Sequence, residues 1–106
     1  MARALVNVPK TAQRGQIIEI KSLISHIMET GFRHTETGEV IPRNIITEFL
    51  CTYNDKEIFR ATLYPAVSAN PFVTFYTMAT ESGTITFKWT GDHGFEQTES
   101  ANIAVT

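Results

Sequence analysis

Cysteine is nearly absent: Cys51 is the only one in 106 residues, so no internal disulfide can form and the fold must stand on packing alone. Neither sign of charge prevails. Nine Lys and Arg face eleven Asp and Glu, a net of −2, and no basic stripe runs along the chain, which removes the electrostatic basis for binding nucleic acid. No apolar run approaches the ~20 residues of a membrane-spanning helix, so no membrane partner is expected. The opening Met1-Ala2-Arg3-Ala4-Leu5-Val6 carries one positive charge but lacks a sustained apolar segment with a small-residue cleavage site. Taken alone, that pattern points to the cytoplasm. Also missing are a glycine-rich phosphate loop, a paired-carboxylate motif and a His-Glu-x-x-His zinc motif. No catalytic residue and no cofactor are therefore expected.

What remains is the composition of an ordinary globule, 42% apolar and 19% charged, in a chain long enough for one domain over residues 1–106. Its periodicity is that of strands. Ile18, Ile20 and Ile24 share one face, with Glu19, Lys21 and Ser25 opposite. Ile45, Phe49, Cys51 and Tyr53 alternate with Ile46, Glu48, Leu50 and Thr52, and Ile85, Phe87 and Trp89 alternate with Thr84, Thr86, Lys88 and Thr90. Ala101, Ile103 and Val105 repeat the period of two at the carboxyl end. Helix-period stripes are absent. Turn chemistry separates the runs: Tyr53-Asn54-Asp55-Lys56 reads as a tight hairpin, Asn70-Pro71 as the entry to Phe72–Ala79, and Ser82-Gly83 and Gly91-Asp92-His93-Gly94 as reversals. About seven short strands at this spacing predict an all-β, immunoglobulin-like antiparallel β-sandwich.

Two features stand out from that rhythm. The first is the eighteen-residue stretch 26–43, longer than loops in compact domains usually run; its mixture of aromatic, apolar and charged residues argues for a structured surface element with Gly38 at a hairpin tip. The second is a strand apolar on both faces, with Phe72, Tyr76 and Met78 on one side and Val73, Phe75 and Ala79 on the other. In a two-sheet sandwich the outer face normally meets water, so an apolar outer face points to a partner.

Three chemical readings compete with a purely structural one. Cys51, His26, His34, His93 and Met28 are ligand types for copper, but no histidine follows Cys51 within forty residues and the preceding one lies in another loop. Surface histidines and a core thiol fit that spacing better. Cys51 as a nucleophile would need exposure and an activating base, whereas its strand face is the core side. Trp89 with Phe87 and Ile85 as a ligand-stacking platform yields to sandwich core, because the alternation with polar residues is strict.

Several longer runs carry a family likeness. Ser25-His26-Ile27-Met28-Glu29-Thr30-Gly31-Phe32-Arg33, Gly38-Glu39-Val40-Ile41-Pro42-Arg43-Asn44-Ile45-Ile46, Phe49-Leu50-Cys51-Thr52-Tyr53-Asn54, Pro65-Ala66-Val67-Ser68-Ala69-Asn70-Pro71-Phe72 and Phe87-Lys88-Trp89-Thr90-Gly91-Asp92-His93-Gly94 resemble, in the same order, the SoxZ family of thiosulfate oxidation. The resemblance implies a non-catalytic subunit that pairs with SoxY, whose glycine-rich tail carries sulfur intermediates on a cysteine. The present chain ends Ala101-Asn102-Ile103-Ala104-Val105-Thr106, with neither Gly nor Cys, so Cys51 is not assigned the carrier role. Transient docking to SoxAX, SoxB and a sulfane dehydrogenase is implied as well. So is a periplasmic location reached by co-export with SoxY, against the cytoplasmic reading of the amino terminus alone. The candidate partner-binding residues are Met28, Arg33 and Arg43 in the long loop and Phe72, Tyr76 and Met78 on the strand; each arginine stands open between a bidentate partner contact and a solvated charge. The competing reading is a stand-alone extracellular immunoglobulin-like binding module, and a third is a small cysteine-dependent redox enzyme.

Overall fold

The alternating segments pair as their periods require. The computed structural model describes residues 3–106, and among these the strands are β1 (Ala4–Asn7), β2 (Thr11–Ala12), β3 (Ile17–Ile24), β4 (Ile46–Tyr53), β5 (Lys56–Thr62), β6 (Phe72–Met78), β7 (Gly83–Gly91) and β8 (Glu96–Val105). One sheet has the order β1-β3-β6 and the other β2-β8-β7-β4-β5. Every pairing is antiparallel except the two-residue β2, which lies parallel to β8. The chain thus forms the expected immunoglobulin-like sandwich, with eight strands where about seven were anticipated. The additional strand β2 is only two residues long, too short to show a period of its own.

Each sheet turns its apolar period inward. Phe49, Cys51, Ile85, Phe87 and Trp89 from the larger sheet meet Ile18, Ile20, Ile24 and Phe75 from the smaller one, and all are buried. Phe49 is the hub of an aromatic cluster, with ring centroids 5.3 Å from Trp89, 6.3 Å from Phe87, 6.0 Å from Phe59 and 6.5 Å from Phe75 on the opposite sheet. Ser22 is the polar member of the inward set; its hydroxyl donates to the Val73 carbonyl at 3.2 Å, which satisfies it without water.

The β4–β5 hairpin turns through Asn54 and Asp55, with φ of +49° and +67°. That pair of positive values is the type I′ geometry that matches strand twist. Asn54 then stitches the next reversal, donating to the Ser82 carbonyl at 3.2 Å and accepting from the Thr84 amide at 2.9 Å. Gly83 makes this possible, since a Cβ there would lie 1.8 Å from the Asn54 side-chain oxygen.

Residues 26–43 form an arm rather than a meandering loop. Glu29 and Asn44 exchange two backbone bonds of 2.9 Å, Ile41 donates to the Arg33 carbonyl at 2.9 Å, and His34 pairs with Val40. Gly38, with φ of +87°, sits in the tip turn that Thr35 closes. Gly31 also takes a left-handed φ, +88°, at a point where any Cβ would press within 2.9 Å of the Arg43 Cβ. The molecule measures 60 × 20 × 19 Å, with a radius of gyration of 16.3 Å where a compact chain of this length has about 13 Å. The ten residues of β8, the longest strand, span roughly 33 Å.

Candidate partner-binding surface

The outer face of the three-stranded sheet follows from its register. Leu5, Leu23 and Phe72 make one cross-strand row, Asn7, Lys21 and Thr74 the next, then Glu19 beside Tyr76, then Ile17 beside Met78. Two apolar ends therefore flank a polar middle. Leu5, Ile17, Phe72 and Tyr76 are each about 60% exposed and Met78 is 49% exposed. At the first end a shallow depression of about 210 Å³ opens between Leu5, Leu23 and Phe72.

In the middle, the Tyr76 hydroxyl donates to Glu19 at 2.8 Å. That bond holds the Glu19 carboxyl below its ordinary range and raises the Tyr76 hydroxyl. Lys21 adds an ion pair to Glu19 at 3.4 Å. The ring of Tyr76 is left presenting its carbon face outward. Phe72, Tyr76 and Met78 thus share one exposed face, as their alternation anticipates.

The arm residues fare differently. Met28 is buried, 4% exposed, and has to be removed from the candidate contact set. A left-handed φ of +49° turns its side chain inward, and its sulfur accepts from the Ile46 amide at 3.3 Å. Arg43 is committed internally: two parallel bonds of 2.8 Å join its guanidinium to Asp92, whose Oδ2 also accepts from the Ile45 amide at 3.1 Å. The Arg43 carbonyl meets the His93 ring at 2.8 Å. These bonds clamp the arm base to the 3₁₀ turn Asp92–Gly94, and they hold the Asp92 carboxyl below its usual range. Arg33 pairs with Glu29 four residues back, Nε to Oε2 at 2.9 Å. Both arginines therefore brace the arm, which presents Ile27, Phe32 and Val40 to solvent.

The remaining chemistry-bearing side chains are dispersed. Cys51 is fully buried, and burial pushes its thiol up to about 12. It is protonated at any physiological pH and closed to substrates. The His26 Nδ1 accepts from the Met28 amide at 3.1 Å, and its ring packs edge-on against Phe95 at 4.8 Å; burial lowers its pKa, partly offset by Asp92. Among the described residues no three His, Cys, Asp or Glu side chains gather as a metal site would require.

The family model described as "Sulphur oxidation protein SoxZ" matches residues 6–102. The chain belongs to the SoxZ family. No curated protein matches it in sequence. Solved structures share the fold at low identity. A superoxide reductase (neelaredoxin) from Ignicoccus hospitalis aligns with a TM-score of 0.73 and 15% identity, covering 97% of this chain and 80% of that one. The sulfur carrier protein SoxY from Chlorobium limicola f thiosulfatophilum aligns at 0.66 and 11%, over 97% and 78%. The CARDB domain of a Pyrococcus furiosus protein aligns at 0.61 and 10%, over 99% and 94%. This SoxZ-family chain and a sulfur carrier of the same name series are thus built on one sandwich plan. Among the described residues no helix is long and apolar enough to cross a membrane.

Proposed function

We propose that this chain, as one domain, is the non-catalytic subunit of a sulfur-carrier heterodimer in thiosulfate oxidation. Its partner is SoxY, which holds the sulfur intermediate on a cysteine of its own tail. The pair docks in turn on SoxAX, SoxB and a sulfane dehydrogenase in the periplasm, which this chain reaches together with SoxY. The observation that carries the reading, beside the family, is the outer face of the three-stranded sheet. It exposes Phe72, Tyr76 and Met78 at 61%, 64% and 49% on a strand with no charged residue, and aromatic and Met side chains are the types enriched where partners meet.

Division of labour explains why such a subunit needs no active site. A carrier tail must reach several enzymes in turn, and a rigid sandwich gives it a fixed base and a docking surface. The braced arm supplies a second surface, with Phe32 78% exposed at a place fixed by the Arg43–Asp92 clamp. The fully buried Cys51 supports assigning the carrier thiol to the partner. Reconstituted thiosulfate oxidation tests the assignment: omission of this chain should abolish turnover, and Cys51→Ser should restore it nearly to wild type. A folded Cys51→Ser protein that supports no turnover would refute it.

A further inference from the structure

The pairing pattern within the smaller sheet shows which backbone groups of β6 are free. Ile24 donates to the Pro71 carbonyl at 3.2 Å and Ala79 donates to the Gln16 carbonyl at 2.8 Å, and both pairs lie in the register that joins Ile17 to Met78 and Leu23 to Phe72. In an antiparallel ladder the hydrogen-bonded positions alternate. Val73, Phe75 and Thr77 therefore turn their N–H and C=O groups to β3, while Phe72, Thr74, Tyr76 and Met78 turn theirs away. Because β6 ends its sheet, those four positions form an open hydrogen-bonding edge.

The other sheet edges are short or guarded. β1 has four residues and β2 two; β2 covers only the Ala104–Val105 end of β8, whose remaining edge carries Glu96 and Glu99. The edge strand β5 carries Lys56, Glu57 and Arg60, with Arg60 bonded to both Glu57 and Glu48, and its register with β4 shifts near Cys51. Charges and irregularities of that kind deter strand addition. β6, Phe-Val-Thr-Phe-Tyr-Thr-Met, has seven residues with no charge, no proline and no shift in its pairing with β3. An edge of that composition is a template for another strand.

We infer that β6 pairs along this open edge with an edge strand of the SoxY sandwich, so that the three-stranded sheet continues across the heterodimer. The inference rests on the SoxY reading above and deepens it from a face to a backbone register. SoxY is suited to the place because its sandwich matches this one over 97% of the chain and so offers a strand equivalent to β6. Two like edges meeting about a local two-fold axis run antiparallel, which is the pairing this sheet already uses. Phe72 and Tyr76, 61% and 64% exposed, and half-exposed Met78 would bring about 350 Å² of side chain to the flank of the joint. That is nearly half of the ~800 Å² that each partner of a stable complex buries, before the backbone edge is counted.

Amide hydrogen exchange of this chain, alone and saturated with SoxY, tests the inference. Thr74, Tyr76 and Met78 should exchange freely in the isolated chain and slow by about a hundredfold or more in the complex, while Val73, Phe75 and Thr77 are protected in both. Unchanged exchange at Thr74 and Tyr76 in a complex that forms normally would overturn edge pairing yet leave the SoxY reading standing; absence of any complex would overturn both. Protection of those amides by self-association, unaltered when SoxY is added, would overturn SoxY as the occupant. Thr74→Pro gives a second route, since proline is tolerated where an edge N–H faces solvent. The variant should stay folded and bind SoxY about thirtyfold or more weaker, with Thr74→Ala within about threefold of wild type. A folded Thr74→Pro protein that binds SoxY like wild type would contradict the inference.

Discussion

Phe49→Ala is the sharpest probe of the sandwich. The ring is fully buried, and it bridges the layers, contacting Trp89 and Phe87 in its own sheet and Phe75 in the other. Deleting a buried Phe ring costs about 3–5 kcal/mol, the spread reflecting how far the site can collapse. Here the neighbours belong to two hydrogen-bonded sheets that cannot both move inward, and four aromatic contacts beyond simple burial are lost. We expect the upper half, about 4–5 kcal/mol, against a total stability of roughly 5–15 kcal/mol for a domain. Urea titration is the assay, with fluorescence from the single tryptophan, Trp89, 5.3 Å from the deleted ring. At a slope of about 1.5 kcal/mol/M the midpoint should fall by about 3 M. Phe59→Ala, on the half-buried edge strand, should cost clearly less. A loss below about 2 kcal/mol for Phe49→Ala, or the reverse ranking of the two, would refute Phe49 as the joint between the sheets.

Other outcomes follow from the same geometry. Tyr76→Lys should leave the isolated chain folded, because Lys can pair with Glu19 across the strands, yet weaken SoxY binding by about tenfold or more, because the aromatic ring is lost from the contact and a hydrated ammonium must shed water there; a calorimetric affinity equal to wild type would remove Tyr76 from the contact. Native Cys51 should resist a thiol reagent that labels the urea-unfolded chain within minutes, and equal labelling rates would contradict its burial. The Asp92 carboxyl is held low by Arg43 and by the Ile45 amide, so its contribution to the arm base is complete above the ordinary Asp value and is lost as pH falls through the lower folded value. The Ile45 amide resonance should therefore titrate with a midpoint below about 3.9, and a midpoint at or above that value would count against the clamp.

What the sequence disclosed was whatever repeats with the period of a strand. Ile85, Phe87 and Trp89 are inward because Thr84, Thr86 and Lys88 leave no other face for them, and the Asn54-Asp55 turn is local chemistry. Phe72, Tyr76 and Met78 were visible as an outward apolar row for the same reason. Met28 was not, since its inward orientation comes from a left-handed backbone at one non-repeating position. The engagement of Arg43 was equally hidden, because its partner Asp92 lies forty-nine positions away and only the folded register brings the two together. Glu29 stands four residues before Arg33, a spacing that on an arm with no helix gave no signal of pairing. The polar middle of the outer face, where Glu19 takes the Tyr76 hydroxyl, needed the β3–β6 register, which alternation within either strand does not specify. The open backbone edge of β6 is likewise a property of strand order.

Stoichiometric assembly with SoxY is the most direct measure of the central claim. The two chains, co-expressed with a tag on SoxY alone, should purify together and give the mass of one copy of each by light scattering. This chain should remain bound through dilution to micromolar concentration. A SoxY that elutes alone while this chain is folded and abundant in the same extract would contradict the claim.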